Sequence, residues 1–349
     1  MTAAVREASK ASGPPPGTRR SGPRFHIGTT ALVYGALVAI LAVGAVLVAA
    51  DGKNLFSTGN IVDMLTRSSL LGFIAIGQTM VILCRSLDLS VGYVMAACSL
   101  IAALVMNGSE ANVPLGIAAA LGAAAAVGLV NGLVITKLKV NAFIATLGTG
   151  LILKGWLDTE FAGPAGKVAT SFQQFGYTRI SLVPLSTVVM LLLAVAGVLY
   201  LRKTRAGHHI YAVGGDTDVA RLSGIRTDRT VITAHILCAV AAGVAGLLIA
   251  ARFGTGSALV YDYGLDLESI AAVVLGGTYL MGGRGGIAGT VAGVMILAVL
   301  DTVFNILEVN PFYKDVLRGA IIVVAVAIYA RRQLSARPSR IRFAAGGAS

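Results

Sequence analysis

Two glycine-rich stretches carry residues that could cradle a phosphate. Gly163-Pro164-Ala165-Gly166-Lys167-Val168 offers glycines and a lysine. It lacks the glycine spacing of a phosphate-binding loop and the Ser or Thr that would follow the lysine to hold Mg²⁺. Gly283-Arg284-Gly285-Gly286-Ile287-Ala288 fits a GxGxxA pattern, but it lies between two apolar segments. A dinucleotide fingerprint follows a strand in a βαβ unit, so this one is set aside. The sequence has no HExxH, GxSxG or clustered metal-ligand pattern, and Cys84, Cys98 and Cys238 fall in apolar segments without CxxC spacing. They read as small core hydrophobes. What remains is a set of hydrogen-bonding groups inside apolar stretches: Gln78, Asn131, Thr136, Thr146, Thr149, Thr278, Thr302 and Asn305. Asp301 is the one acid placed deep in such a stretch and His235 the one histidine. Groups of this kind either tie helices together or line a path for a polyhydroxylated solute. Carriers driven by protons or sodium use buried acids, histidines or unwound carbonyl sites, so this chain is expected to draw its energy from elsewhere.

The elements that hold these groups are membrane helices. Of 349 residues, 56% are hydrophobic and 13% charged, against about 45–50% and about 25% in soluble domains. Too little charge is left to cover a water-facing surface. The net charge of +12 is spread between apolar stretches and at the two ends instead of forming a basic stripe with aromatics, which argues against a nucleic-acid partner. Residues 1–26 form a polar tail with Pro14, Pro15 and Pro16, expected to be disordered in the cytoplasm. The apolar run that follows is about 24 residues long, longer than the 7–15 of a signal-peptide core, and reads as an uncleaved first span.

A hydrocarbon core of about 30 Å takes about 20 apolar residues per helix. Ten segments qualify: 28–50, 64–84, 89–106, 114–136, 142–157, 182–201, 231–251, 267–280, 287–307 and 314–330. The fifth and eighth are short, as tilted or broken helices are. With the N-terminus inside, the 28 Lys and Arg residues divide 20 inside to 8 outside. The reading is therefore an all-α polytopic membrane protein of about ten helices with both termini cytoplasmic. A transmembrane domain over 27–331 and a cytoplasmic tail over 332–349 complete the layout. Gly128 and Gly132, and Gly289 and Gly293, stand four apart, the spacing that lets helix backbones approach closely. Ala118, Gly122 and Ala126 continue the pattern.

The longest inside loop, 202–230, holds the clearest local signals. Asp216 suits an N-cap, Gly224 the C′ position, and Ile225 the hydrophobic contact of a Schellman motif. Asp216–Ser223 is thus read as a short helix with Val219 and Leu222 on one face. Two turns are marginal in water unless they pack on a partner or on the bundle.

In order, four blocks resemble the permease subunit of bacterial ABC importers for ribose, xylose, galactose and related monosaccharides. They are Cys84–Gly92; Gly128–Gly132 with Phe143–Thr149; Tyr211–Asp216 with Ala220–Ile225; and Ala271–Thr278 with Gly282–Gly285, Gly289 and Thr290. Two departures stand out: Arg85-Ser86 where the family has Gly-Gly, and Asp216 where it has Asn. The resemblance implies a multi-pass protein of the bacterial cytoplasmic membrane, working with a second permease copy or paralogue. It implies a separate ATPase subunit carrying ATP and Mg²⁺, with no cofactor or metal in this chain, and a periplasmic or lipid-anchored sugar-binding protein. Solute would cross by alternating access, past pathway candidates Asp88, Ser90, Asn131, Thr146 and Asn305. Gly214, Asp216, Ala220, Arg221 and Gly224 would couple the helices to the ATPase. Nucleosides, branched-chain amino acids or a signal furanose are the competing solutes, and a self-sufficient secondary carrier the competing class.

Overall fold

A computed structural model describes residues 29–310 together with 312, 313, 316, 319, 320 and 323. The tails 1–26 and 332–349, and most of segment 314–330, lie outside the described residues. Among the residues 29–310, twelve α-helices follow one another: α1 (Thr29–Ala50), α2 (Thr58–Leu83), α3 (Val91–Met106), α4 (Val113–Lys137), α5 (Ala142–Glu160), α6 (Thr170–Tyr177), α7 (Leu185–Lys203), α8 (Arg205–Gly215), α9 (Thr217–Leu222), α10 (Thr227–Phe253), α11 (Leu265–Leu275) and α12 (Ile287–Ile306). A small antiparallel hairpin, β1 (Arg179–Ile180) with β2 (Val183–Pro184), joins α6 to α7.

Among the described residues six helices are long and apolar enough to cross a membrane: α1, α2, α4 with the 3₁₀ turn before it, α7, α10 and α12. α3 is apolar but shorter. α11 has 11 residues, about 16 Å at 1.5 Å per residue, against a core of about 30 Å. The protein is an all-α membrane protein. Its helices are bounded as their sequences dictate. Asn141 Oδ1 accepts the Phe143 N–H at 2.9 Å to open α5, and Pro114 sits in the first turn of α4. α10 closes on Gly254 at φ +72°, a conformation that glycine adopts without strain.

α10 is the central post, packed against α2, α3 and α4. The α4 contact is as close as the Gly128/Gly132 spacing anticipates. A Cβ on Gly128 would meet Ile236 Cα at 2.7 Å, and one on Gly132 would meet Ile232 Cα at 2.7 Å. Gly289 and Gly293 do the same for α12 against Gly276 and Ala272 of α11. Both glycine pairs are therefore spent on contacts inside the chain, whereas Gly122 has open space beside it. Only 17% of the most apolar stretch of α1 is buried, against 83% for α2. α1 is a flank, held to α12 through Val48, Val299 and Val303 and by Tyr34 Oη donating to Ala288 O at 3.1 Å.

Candidate functional site: a buried polar knot and the arm beside it

α2 ends at Leu83 and α3 starts at Val91, so seven residues, Cys84–Ser90, connect two buried helices. Asp88 sits in the middle with no solvent exposure. A buried carboxylate needs several donors, and Asp88 has three. Oδ1 accepts from Ser90 N–H at 2.9 Å and from Ser90 Oγ at 2.6 Å, and Oδ2 faces His235 Nδ1 at 3.1 Å. An ionised carboxylate only accepts, so the imidazole proton belongs on Nδ1. Nε2 then accepts from Ser86 Oγ, 2.9 Å away. Asn131 Nδ2 donates to Ser90 Oγ at 2.9 Å, and Thr146 Oγ1 accepts the Leu89 N–H at 3.1 Å. With its amide oriented to satisfy the peptide, Gln78 brackets Asp88: its nitrogen donates to Asp88 O at 3.2 Å and its oxygen accepts Asp88 N–H at 3.3 Å. α2, α4, α5 and α10 thus each send a side chain to this one connection.

Ser86, His235 and Asp88 are the residue types of a hydrolase triad, in the same order of contacts. Ser86 is 6% exposed and its hydroxyl faces His235 within the protein, so no acyl group reaches it here. Four of the five pathway candidates, Asp88, Ser90, Asn131 and Thr146, meet in this knot, fully buried. The fifth, Asn305, lies elsewhere on α12, where its Nδ2 donates to Asp301 Oδ2 at 3.4 Å. Asp301 in turn pairs with Arg67 at 3.3 Å. Arg67 and Asp301, with Arg252, Tyr263 and Glu268, border a cleft of about 460 Å³ at the opposite end of the bundle. Three members of the knot were missed by sequence reasoning as partners of Asp88: Ser86, Gln78 and His235. His235 had stood out only as an intramembrane histidine.

The arm lies against the same connection. α8 opens on Thr204, whose Oγ1 accepts Gly207 N–H at 3.0 Å. Its last turn brings Gly214 against Leu83 O and Gly283 N so closely that any Cβ would overlap the carbonyl. Gly283 N–H donates to Leu83 O at 3.1 Å, and Tyr211 Oη donates to Gly285 O at 3.0 Å. Burial pushes the Tyr211 phenol above its usual range. A Cβ on Gly282 would reach Arg85, whose own φ is +64°. The end of α8, the Gly276–Gly286 loop and the start of the α2–α3 connection therefore form one seam.

α9 extends from that seam. Asp216 Oδ1 accepts the N–H groups of Asp218 at 2.9 Å and Val219 at 3.0 Å. At its other end Ile225 N–H donates to Ala220 O and Gly224 N–H to Arg221 O, both at 3.0 Å, with Gly224 at φ +81°. This is the full Schellman pair. Ala220 and Gly214 are buried, while Asp216, Arg221 and Gly224 are exposed. Val219 and Leu222 are 58% and 89% exposed. The helix is doubly capped, yet it shows its apolar side to solvent.

The structure is a helical membrane bundle with a polar cleft at one end and a capped arm at the other. The chain belongs to the family described as branched-chain amino acid transport system / permease component, whose model matches residues 60–326. It is 35% identical over 320 residues to the ribose import permease protein RbsC of Escherichia coli K12, covering 90% of this chain and 98% of that protein. It is 32% identical to the galactose/methyl galactoside import permease protein MglC of the same organism, over 87% of this chain and 97% of that one. It is 34% identical to the L-arabinose transport system permease protein AraH, over 77% and 82%. No solved structure matches the chain. The relatives are transport permeases and not enzymes.

Proposed function

We propose that this chain is the membrane-spanning permease of an ABC importer that moves a monosaccharide into the cytoplasm. The relatives named for ribose, galactose and arabinose support the substrate class. The observation that carries the mechanism is the arm: a preformed, doubly capped α9 with exposed Val219 and Leu222, footed on the α2–α3 connection through Gly214. Such a helix is ordered before any partner arrives, so docking need not first supply the cost of folding it. A separate ATPase subunit holding ATP and Mg²⁺ would receive α9 in a cleft and work the bundle through it.

In this reading the arm faces the cytoplasm, both termini lie inside, and ten segments thread the bacterial cytoplasmic membrane, the short α11 as a broken one and 314–330 as the tenth. The cleft around Arg67 and Asp301 then opens outward to a periplasmic or lipid-anchored sugar-binding protein. Its volume falls within the about 300–1,000 Å³ of small-molecule sites, and its lining offers both carboxylate and guanidinium groups to hydroxyls. Asn305 stands near this mouth through Asp301. Asp88, Ser90, Asn131 and Thr146 hold the inner end shut and would line the path once it opens. A second permease copy or paralogue would complete the conduit. The family description favours one other solute, a branched-chain amino acid.

Reconstitution of the chain in proteoliposomes with its ATPase and binding protein tests this. Uptake of labelled ribose, galactose or arabinose should require ATP, and Val219→Asp with Leu222→Asp should abolish it. Uptake of leucine in place of sugar would shift the solute class. Accumulation by the chain alone, without ATP, would sink the reading.

A further inference from the structure

In the permease reading the seam would pass motion at the surface of the bundle to the knot in the interior. The two are joined covalently by the seven residues Cys84–Ser90. Among the described residues, one side chain hydrogen-bonds this stretch to the central post. His235 lies on α10 and reaches Asp88 through Nδ1 at 3.1 Å and Ser86 through Nε2 at 2.9 Å. It thereby grips the connection at both sides of Leu87, 147 and 149 residues away in sequence. The backbone of α4 is pressed against α10 at this level, where a Cβ on Gly128 would fall 2.5 Å from His235 O. Gln78, Asn131 and Thr146 fasten the other atoms of the same connection. Asn131 Oδ1 is buried without a hydrogen-bond partner among the described residues.

We propose that His235 is a positioning residue of the transport cycle: a strut that locks the α2–α3 connection to α10, which follows α9 through residues 223–226, so that the connection moves with the post and the arm. The strut suits this task because the serine hydroxyl at its far end both donates and accepts. The inference rests on the permease reading for its consequence in transport, but not for its consequence in local stability.

Two measurements separate those parts. In the full chain purified in detergent, amide exchange at Leu89 and Ser90 should rise at least tenfold in His235→Ala. It should stay within about threefold of the parent in His235→Asn, whose amide nitrogen stands where Nδ1 donates. Exchange unchanged in His235→Ala overturns the strut. In proteoliposomes holding the complete complex, with ribose, galactose and arabinose as probes, His235→Ala should lower sugar moved per ATP hydrolysed at least tenfold. Ser86→Ala should lower it less, and His235→Asn should recover more than half of the loss. A ratio within twofold of the parent in His235→Ala overturns the coupling role, as does equal loss in His235→Ala and His235→Asn. If the parent complex moves no sugar with ATP, the permease reading fails, and the exchange measurement still decides the strut.

Discussion

The knot around Asp88 and the helix α9 stand side by side on one seam and are built on opposite terms. α9 takes its order from residues within ten positions of one another: Asp216 caps it and Gly224 closes it. The knot takes its order from contacts such as Thr146 to Leu89 and His235 to Asp88, 57 and 147 residues apart. One is exposed and locally determined, the other is buried and globally determined. A device that passes motion inward needs both. An outer part must keep its shape while changing partners, and an inner part must change only when the bundle does.

Substitutions can separate the two. The largest effect is expected from Asp88→Ala, which strands His235 and the Ser90 donors in the interior. Each buried donor left without its acceptor costs about 1–3 kcal/mol, and the sum is to be read as a fall in the unfolding free energy on titration with SDS. Gly214→Val comes next. Its side chain would press on the Leu83 carbonyl and on Gly283, and overpacking costs about 1–3 kcal/mol. ATP-driven uptake should disappear even in the fraction that inserts. Asp216→Ala removes one cap, worth about 1 kcal/mol. Amide exchange across Thr217–Leu222 should quicken while the knot is untouched. Leu222→Ser should leave stability within about 0.5 kcal/mol, yet weaken capture of the ATPase subunit in a pull-down. A Leu222→Ser chain that melts early would mean that α9 packs on its own bundle, and the contrast between the two regions would fall.

The same contrast explains what could be read from the residues alone. The ends of α9 were legible because capping is a short-range signal, and the observed helix, Thr217–Leu222, lies between the anticipated caps. The close approach of Gly128 and Gly132 was legible as a motif but its partner was not, since nothing local names α10. α8 escaped notice altogether. Its sequence carries Gly207, Gly214 and Gly215, poor helix formers, and the helix is secured by what Gly214 and Tyr211 touch. Asp88, Ser90, Asn131 and Thr146 were chosen singly as polar residues of a path; that four of them would converge was not visible, because convergence is a property of the fold. Asn305 carried the same kind of signal and went to the other end with Asp301.

α11 begins beside the cleft, where Leu265 and Glu268 share its border with Leu297 and Asp301 of α12, and α12 runs on to Ile306. Between α10 and α11, residues 254–258 are irregular and Leu259–Tyr263 form a 3₁₀ turn that ends on the cleft at Tyr263. Backbone without a regular ladder survives at such depth only where protein or water covers it. The bridge between Ala165 and Gly256 shelters part of it. If the cleft is the mouth of the path, as proposed, water attends to the peptide groups that face it, and the mouth stays wet. A hydroxyl-rich traveller can exchange places with that water bond for bond, while an oily one would leave the peptide groups thirsty.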